Sequence, residues 1–106
     1  MHIHILGICG TFMGGLAALA REAGHRVTGC DANVYPPMSD QLRALGIDLI
    51  EGWSPDQMAL APDLYVVGNV VSRGNPLMEA ILNAGARYTS GPQWLAENIL
   101  HVQDVS

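Results

Sequence analysis

Gly7-Ile8-Cys9-Gly10-Thr11-Phe12-Met13-Gly14-Gly15 is the stretch whose reading decides the fold. It follows a short extended run, His2 to Leu6. It precedes Phe12 to Ala23, where Leu16, Leu19, Ala20 and Ala23 recur at helical spacing, Arg21 and Glu22 fall to solvent and Gly24 is placed to terminate. Between a strand and a helix, glycines let the backbone turn sharply and approach an anion, while the free N–H groups and dipole of the helix supply the attraction. The plainer use of the same glycines is a tight strand-to-helix turn with close helix–sheet packing. The dinucleotide pattern G-x-G-x-x-G is not met: Gly7 would be its first glycine, but Cys9 and Phe12 stand where the second and third belong. Nicotinamide dinucleotide binding is weakened by this, and Phe12 both narrows the mouth of the turn and offers an apolar wall.

Outward from the turn, β-like runs alternate with helical stretches. Arg26 to Cys30 is a second strand with Asp31 just past its end. Pro37 opens a helix in which Met38, Leu42 and Leu45 share a face and Gly46 closes it. Ile47 to Ile50 is a weak third strand, and Ser54-Pro55-Asp56 has the form of a helix cap. Leu64 to Val67 is a fourth strand, followed by a polar loop from Gly68 to Asn75. Asn75-Pro76 starts a helix bearing Met78, Ile81 and Leu82, with Gly85 as its stop. Arg87 to Thr89 is a fifth strand, and Ser90 with Gln93 has capping-box spacing ahead of Trp94, Leu95 and Ile99. The pattern predicts a Rossmann-like three-layer α/β/α domain with a five-stranded parallel sheet of order 3-2-1-4-5. Residues 1–100 form this domain, and 101–106 read as a truncated linker.

With 106 residues, 49% of them apolar and only 14% charged, the chain has the size and composition of one folded domain. A net charge of −5 with five Lys and Arg leaves no basic stripe for a nucleic-acid backbone or an anionic membrane. A bound phosphate must therefore be held mainly by backbone amides. No apolar run approaches about 18 residues, and no export signal is visible. Cys9 and Cys30 read as free thiols, and a cytoplasmic location is expected.

Asp31 stands at the end of the second strand, where a carboxylate can accept hydrogen bonds from a ribose or base; capping its own turn is the simpler alternative. In the loop after the fourth strand, Asn69, Ser72 and Arg73 supply amide, hydroxyl and guanidinium donors next to the point where such sheets bind ligands. Asn75 is explained by capping alone. The four histidines show no metal-ligand spacing and read as packing or surface residues. Cys9 has no identifiable partner base; Trp53 and Trp94 are open to a ligand-facing role, although a tryptophan at helical spacing such as Trp94 is more often core.

The segments I-H-I-L-G-I-C-G-T-F-M-G-G, G-C-D-A-N-V-Y-P-P-M-S, V-V-G-N-V-V-S-R-G-N-P and S-G-P-Q-W-L-A-E, in this order and spanning essentially the whole chain, resemble the N-terminal domain of the Mur ligases, bacterial enzymes of peptidoglycan synthesis. Cys9 and Phe12 depart from the glycine-richer turn of the alanine-adding branch and match the branch that recycles murein peptides. The resemblance implies a UDP-N-acetylmuramate-binding domain. Gly7 and the turn Gly10, Thr11, Phe12, Met13 and Gly14 would hold the diphosphate through backbone amides. Asp31 and the Ala32 backbone would meet the uracil, and Asn69, Ser72 and Arg73 the uridine or sugar. It further implies a central domain for ATP and Mg²⁺ and a C-terminal domain for a murein tripeptide. No G-K-[ST] motif occurs here, so no cofactor and no catalysis are expected of this chain by itself. Two other readings stay open: an NAD(H)-binding regulatory or redox domain, and the corresponding domain of the alanine-adding ligase. A ligand-free interaction module is disfavoured by the intact glycine turn.

Overall fold

The computed structural model describes residues 1–100, with side chains up to Asn98; the expected linker at 101–106 and the placement of the Ile99 side chain lie outside the described residues. Five parallel strands, β1 (His2–Leu6), β2 (Arg26–Asp31), β3 (Asp48–Glu51), β4 (Leu64–Val67) and β5 (Tyr88–Ser90), form one sheet in the order β3-β2-β1-β4-β5. The helices are α1 (Thr11–Glu22), α2 (Met38–Ala44), α3 (Pro76–Ala84) and α4 (Gly91–Leu95), the last continuing as a π-helical turn, Ala96–Leu100; a 3₁₀-helix, Pro55–Leu60, precedes β4. Topology and strand number are those expected. Boundaries moved by a residue or two: Asp31 is the last residue of β2 rather than the first beyond it, and Pro37 caps α2 instead of opening it.

Strand alternation divides the core into two layers, as a sheet covered on both faces requires. Ile3, Ile5, Val27, Leu64 and Val66 point to one side and pack with α1, Leu42 of α2 and Trp94 of α4. Leu6, Cys30 and Tyr65 point to the other and pack with Leu77, Met78 and Ile81 of α3. The buried stripe of α1 is Met13, Gly14, Leu16, Ala17 and Ala20, which differs from the one expected: Leu19 is 39% exposed and Ala23 is the C-cap. Gly14 explains the rotation, because a Cβ there would sit 3.1 Å from Met38 Sδ; the bare backbone lets α1 close on α2 and turns the row through Met13 and Ala17 toward the sheet. Leu45 and Leu82, placed by spacing on apolar faces, are likewise largely exposed, since each lies in or beside the last turn of its helix.

Ser54, Asn75 and Ser90 cap the elements they were expected to cap. The capping box is only half formed: Ser90 accepts the Gln93 amide, but the Gln93 side chain donates to Glu97 at 2.8 Å instead of reaching back.

His4 is fully buried under the 3₁₀-helix, and its environment orders the protons. Gln57 Nε2 donates to the Gly52 carbonyl, so Gln57 Oε1 faces His4 Nε2, at 2.8 Å, and must accept from it. His4 Nδ1 then accepts from the Thr28 hydroxyl at 2.7 Å, and that oxygen accepts from His2 Nε2 at 2.8 Å. Burial, opposed in part by the Gln57 hydrogen bond, holds His4 below the ordinary imidazole value of 6.5. Because the unfolded chain takes up this proton first, stability is full above that value. It falls as pH drops through 6.5 toward the folded-state value, by at most about 1.4 kcal/mol per pH unit from this one group. Urea unfolding at pH 7.5 and pH 5.5 checks this; equal midpoints would remove His4 from the account.

Candidate functional site

The register places the carboxyl ends of β1, β2 and β4 side by side: Leu6 pairs with Cys30 on one flank and Val67 on the other. This is where the strand order reverses, and both the glycine turn and the loop after β4 leave from it. Gly68 donates to the Leu6 carbonyl at 2.9 Å, which sets that loop against the turn.

Within the turn, most amides are consumed. Those of Gly7 and Ile8 both reach the Cys30 carbonyl, at 2.8 and 3.1 Å; Cys9 donates to Asp31 Oδ2 at 3.0 Å, and Gly10 to the Gly7 carbonyl at 3.3 Å. Gly14, expected among the amides open to a ligand, instead closes the first helical turn on the Gly10 carbonyl at 2.7 Å. Among the described residues, that leaves the amides of Thr11, Phe12 and Met13 without an acceptor. Gly10 has no side chain to cap them, and no acidic residue sits in the first turn. A helix N-terminus in this state carries three free donors and the positive end of the dipole. Of the other helices, α3 and α4 use Asn75 and Ser90 for this purpose, while α2, which begins after Pro37, has no side-chain cap but carries Asp40 in its first turn.

Two clefts flank the helix start and meet at Gly10. One, of about 310 Å³, is walled largely by apolar groups, Phe12, Met13, Val70 and Pro92, with Gly7 and Asn69 completing it. The other, of about 360 Å³, runs along the end of β2 between Cys9, Asp31, Asn33, Tyr35 and Met38. Each falls near the lower end of the range for small-ligand pockets. A larger cavity, about 560 Å³, lies at the opposite ends of the strands, beside Met1, Leu64 and Arg87; it contains none of the residues expected at the site and none of the free amides.

Of the residues expected to bind ligand, Gly7, Gly10, Thr11, Phe12, Met13 and Asn69 line the first cleft and Asp31 the second. Gly14 is buried in the α1 packing. The Ala32 amide is taken by Asp31 Oδ1 at 2.7 Å. Ser72 and Arg73 are exposed and line neither cleft, since the loop folds back after Gly68 through hydrogen bonds from Val71 to Gly68 and from Asn75 to Ser72. Asn75 spends its side chain on the amides of Leu77 and Met78. Asn33, Tyr35, Val70 and Pro92 were missed. Tyr35, 65% exposed ahead of two prolines and just past a strand end, was the one with a legible signal.

Charge and acidity agree with an amide-built site. The five cationic side chains are all arginines, and none lines either cleft. Burial, with the neighbouring Asp31 carboxylate, pushes the Cys9 thiol above its usual value and drives Cys30 up to about 12, so neither is a ready nucleophile. Both are free thiols. Among the described residues no group of three His, Cys, Asp or Glu side chains could hold a metal, and no helix is long and apolar enough to cross a membrane.

Residues 2–103 match the family model described as Mur ligase family, catalytic domain. The chain is 60% identical over 100 residues, 94% of its length, to the Escherichia coli (strain K12) UDP-N-acetylmuramate–L-alanyl-γ-D-glutamyl-meso-2,6-diaminoheptandioate ligase, of which it covers 22%. It superposes with TM-score 0.92 on the Neisseria meningitidis ligase of the corresponding name, at 63% identity, covering 94% of this chain and 31% of that one. The TM-score is also 0.92 for a murein peptide ligase from Psychrobacter arcticus 273-4, at 59% identity, with 95% of this chain and 21% of that one covered. The chain thus spans about a fifth of the length of the curated relatives it matches. Fold, turn and sequence agree: the chain belongs to the Mur ligase family.

Proposed function

We propose that this chain is the UDP-N-acetylmuramate-binding domain of a bacterial, cytoplasmic, ATP-dependent ligase that forms an amide between a murein tripeptide and UDP-N-acetylmuramate in peptidoglycan recycling. The observation that carries the reading is the 60% identity, over nearly the whole chain, to a ligase whose name states those substrates. The site supports it. A diphosphate suits three free amides at a helix start, in a domain with no lysine and a net charge of −5. The cleft bearing the Asp31 carboxylate disfavours an anion and suits the neutral nucleoside, while the apolar cleft at Phe12 and Val70 suits the sugar and its lactyl and acetyl methyl groups. Asn69 lines that cleft and brings an amide to it, whereas Ser72 and Arg73 line neither cleft.

A lysine-bearing phosphate loop cannot lie in a chain without lysine, so the site for ATP and its Mg²⁺ belongs to other parts of the ligase. The tripeptide site is assigned there too. This domain holds and orients one substrate and catalyses nothing by itself.

Titrating the chain with UDP-N-acetylmuramate, UMP and NADH while recording amide NMR spectra tests the reading. Saturable shifts at Thr11 to Met13, Asp31 and Asn69 with the two uridine ligands, and none with NADH, are expected. A response to NADH alone would replace it with a dinucleotide-binding regulatory or redox role.

A further inference from the structure

The carboxylate of Asp31 is the one side chain among the described residues that hydrogen-bonds to the glycine turn. Backbone carbonyls hold the amides of Gly7, Ile8 and Gly10, whereas the Cys9 amide, midway along the turn, depends on Asp31 Oδ2 at 3.0 Å. Asp31 is itself firmly placed. Its main chain pairs with Glu51 in β3, its carbonyl accepts from Gly52 at 2.8 Å, and its second oxygen accepts from Ala32 at 2.7 Å. A strand end 22 residues away in sequence therefore fixes the peptide two residues ahead of the first free amide, Thr11.

Resting on the proposed function and deepening it, we propose that Asp31 is a positioning residue for the substrate's diphosphate: through the Cys9 amide it sets the turn so that the amides of Thr11, Phe12 and Met13 converge on the phosphates. Each carboxylate oxygen keeps a second lone pair, so direct contact with the nucleoside is the competing use. The two make different predictions. A nucleoside contact serves uridine and UDP alike, whereas a positioned turn serves the phosphates. Charge points in a third direction, because removing a carboxylate beside an anion site strengthens anion binding when nothing else changes.

The test compares the 106-residue chain with Asp31→Asn and Asp31→Ala, measuring affinity for UDP and for uridine by calorimetry and exchange of the Cys9 amide by NMR. Asparagine retains one acceptor oxygen and turns an NH₂ toward the other amide, so it breaks one of the two ties and keeps the size. In Asp31→Asn, the UDP Kd is expected to rise about fivefold or more, the uridine Kd to rise by a clearly smaller factor, and the Cys9 amide to exchange about tenfold faster. Asp31→Ala should show a larger effect of the same kind, and if it fails to fold, Asp31→Asn carries the test. Unchanged or tighter UDP binding overturns the proposal, as does an equal loss for uridine and UDP, or a Cys9 amide that stays protected. A wild-type chain that binds neither ligand rejects the functional reading and this role with it. Wild-type binding that Asp31→Asn leaves unaltered rejects the Asp31 role alone.

Discussion

Replacing Gly7 by valine is expected to destabilise the chain by about 2–4 kcal/mol and to abolish detectable uridine-nucleotide binding. Two effects add. Gly7 sits at φ +82°, in the left-handed region, where an L-residue costs about 1–2 kcal/mol and a β-branched one is worse placed still. A Cβ at this position would also stand 2.9 Å from Val70 Cγ2, against an ordinary contact of about 3.5–4.0 Å. Val70 is exposed and can swing away, which limits the second cost without touching the first. The functional loss has a separate origin: Gly7 and Val70 are walls of the same cleft, so the new side chain fills the space a ligand would use and shifts the start of α1. Thermal unfolding together with the UMP titration checks both parts. A variant that unfolds like the wild type and still binds would show that the positive φ is not required.

Trp94→Ala should cost about 3–5 kcal/mol, the range for emptying a large aromatic from a packed core. Trp94 is 1% exposed and belongs to the cluster of Ile3, Ile5, Met13, Leu16 and Ala17, so it joins α4 to α1 and the sheet. The His25 ring stands edge-on to it, with centroids 6.1 Å apart. Because domains of this kind have total stabilities of about 5–15 kcal/mol, the loss takes a large share and lowers the melting temperature by on the order of 15 °C or more. Trp94→Phe, which keeps most of the buried ring, should lose less than half as much. A drop of under about 1 kcal/mol for alanine, read from urea unfolding, would place Trp94 outside the cooperative core.

Much of the fold was legible because its signals are local. Ser54, Asn75 and Ser90 cap by bonding amides two or three residues ahead, and a glycine such as Gly85, at φ +66°, ends a helix through its own backbone freedom. The buried faces were less legible. Leu19 has the right spacing to be inside and is not, because the small Gly14 beneath Met38 set how α1 is rotated against its neighbours. At the site, the glycine turn, Phe12, Asp31 and Asn69 could be named from their places at strand ends. Val70 and Pro92 could not, since what makes them walls is the company they keep across the sheet.

The sequence by itself determined the strand order, the glycine turn at the reversal point and the lack of any lysine near it. Each follows from hydrophobic period, from glycine placement or from the count of charges, all properties of neighbouring residues or of composition. Only the tertiary structure decided which amides remain free and what Asp31 does. Hydrogen bonding is saturable, and the acceptors that use up the turn's donors, the Cys30 carbonyl and the Asp31 carboxylate, belong to a strand far along the chain. Until β2 is laid beside β1, nothing distinguishes the amide of Cys9 from that of Thr11; once it is, one is bound and the other is open to a ligand.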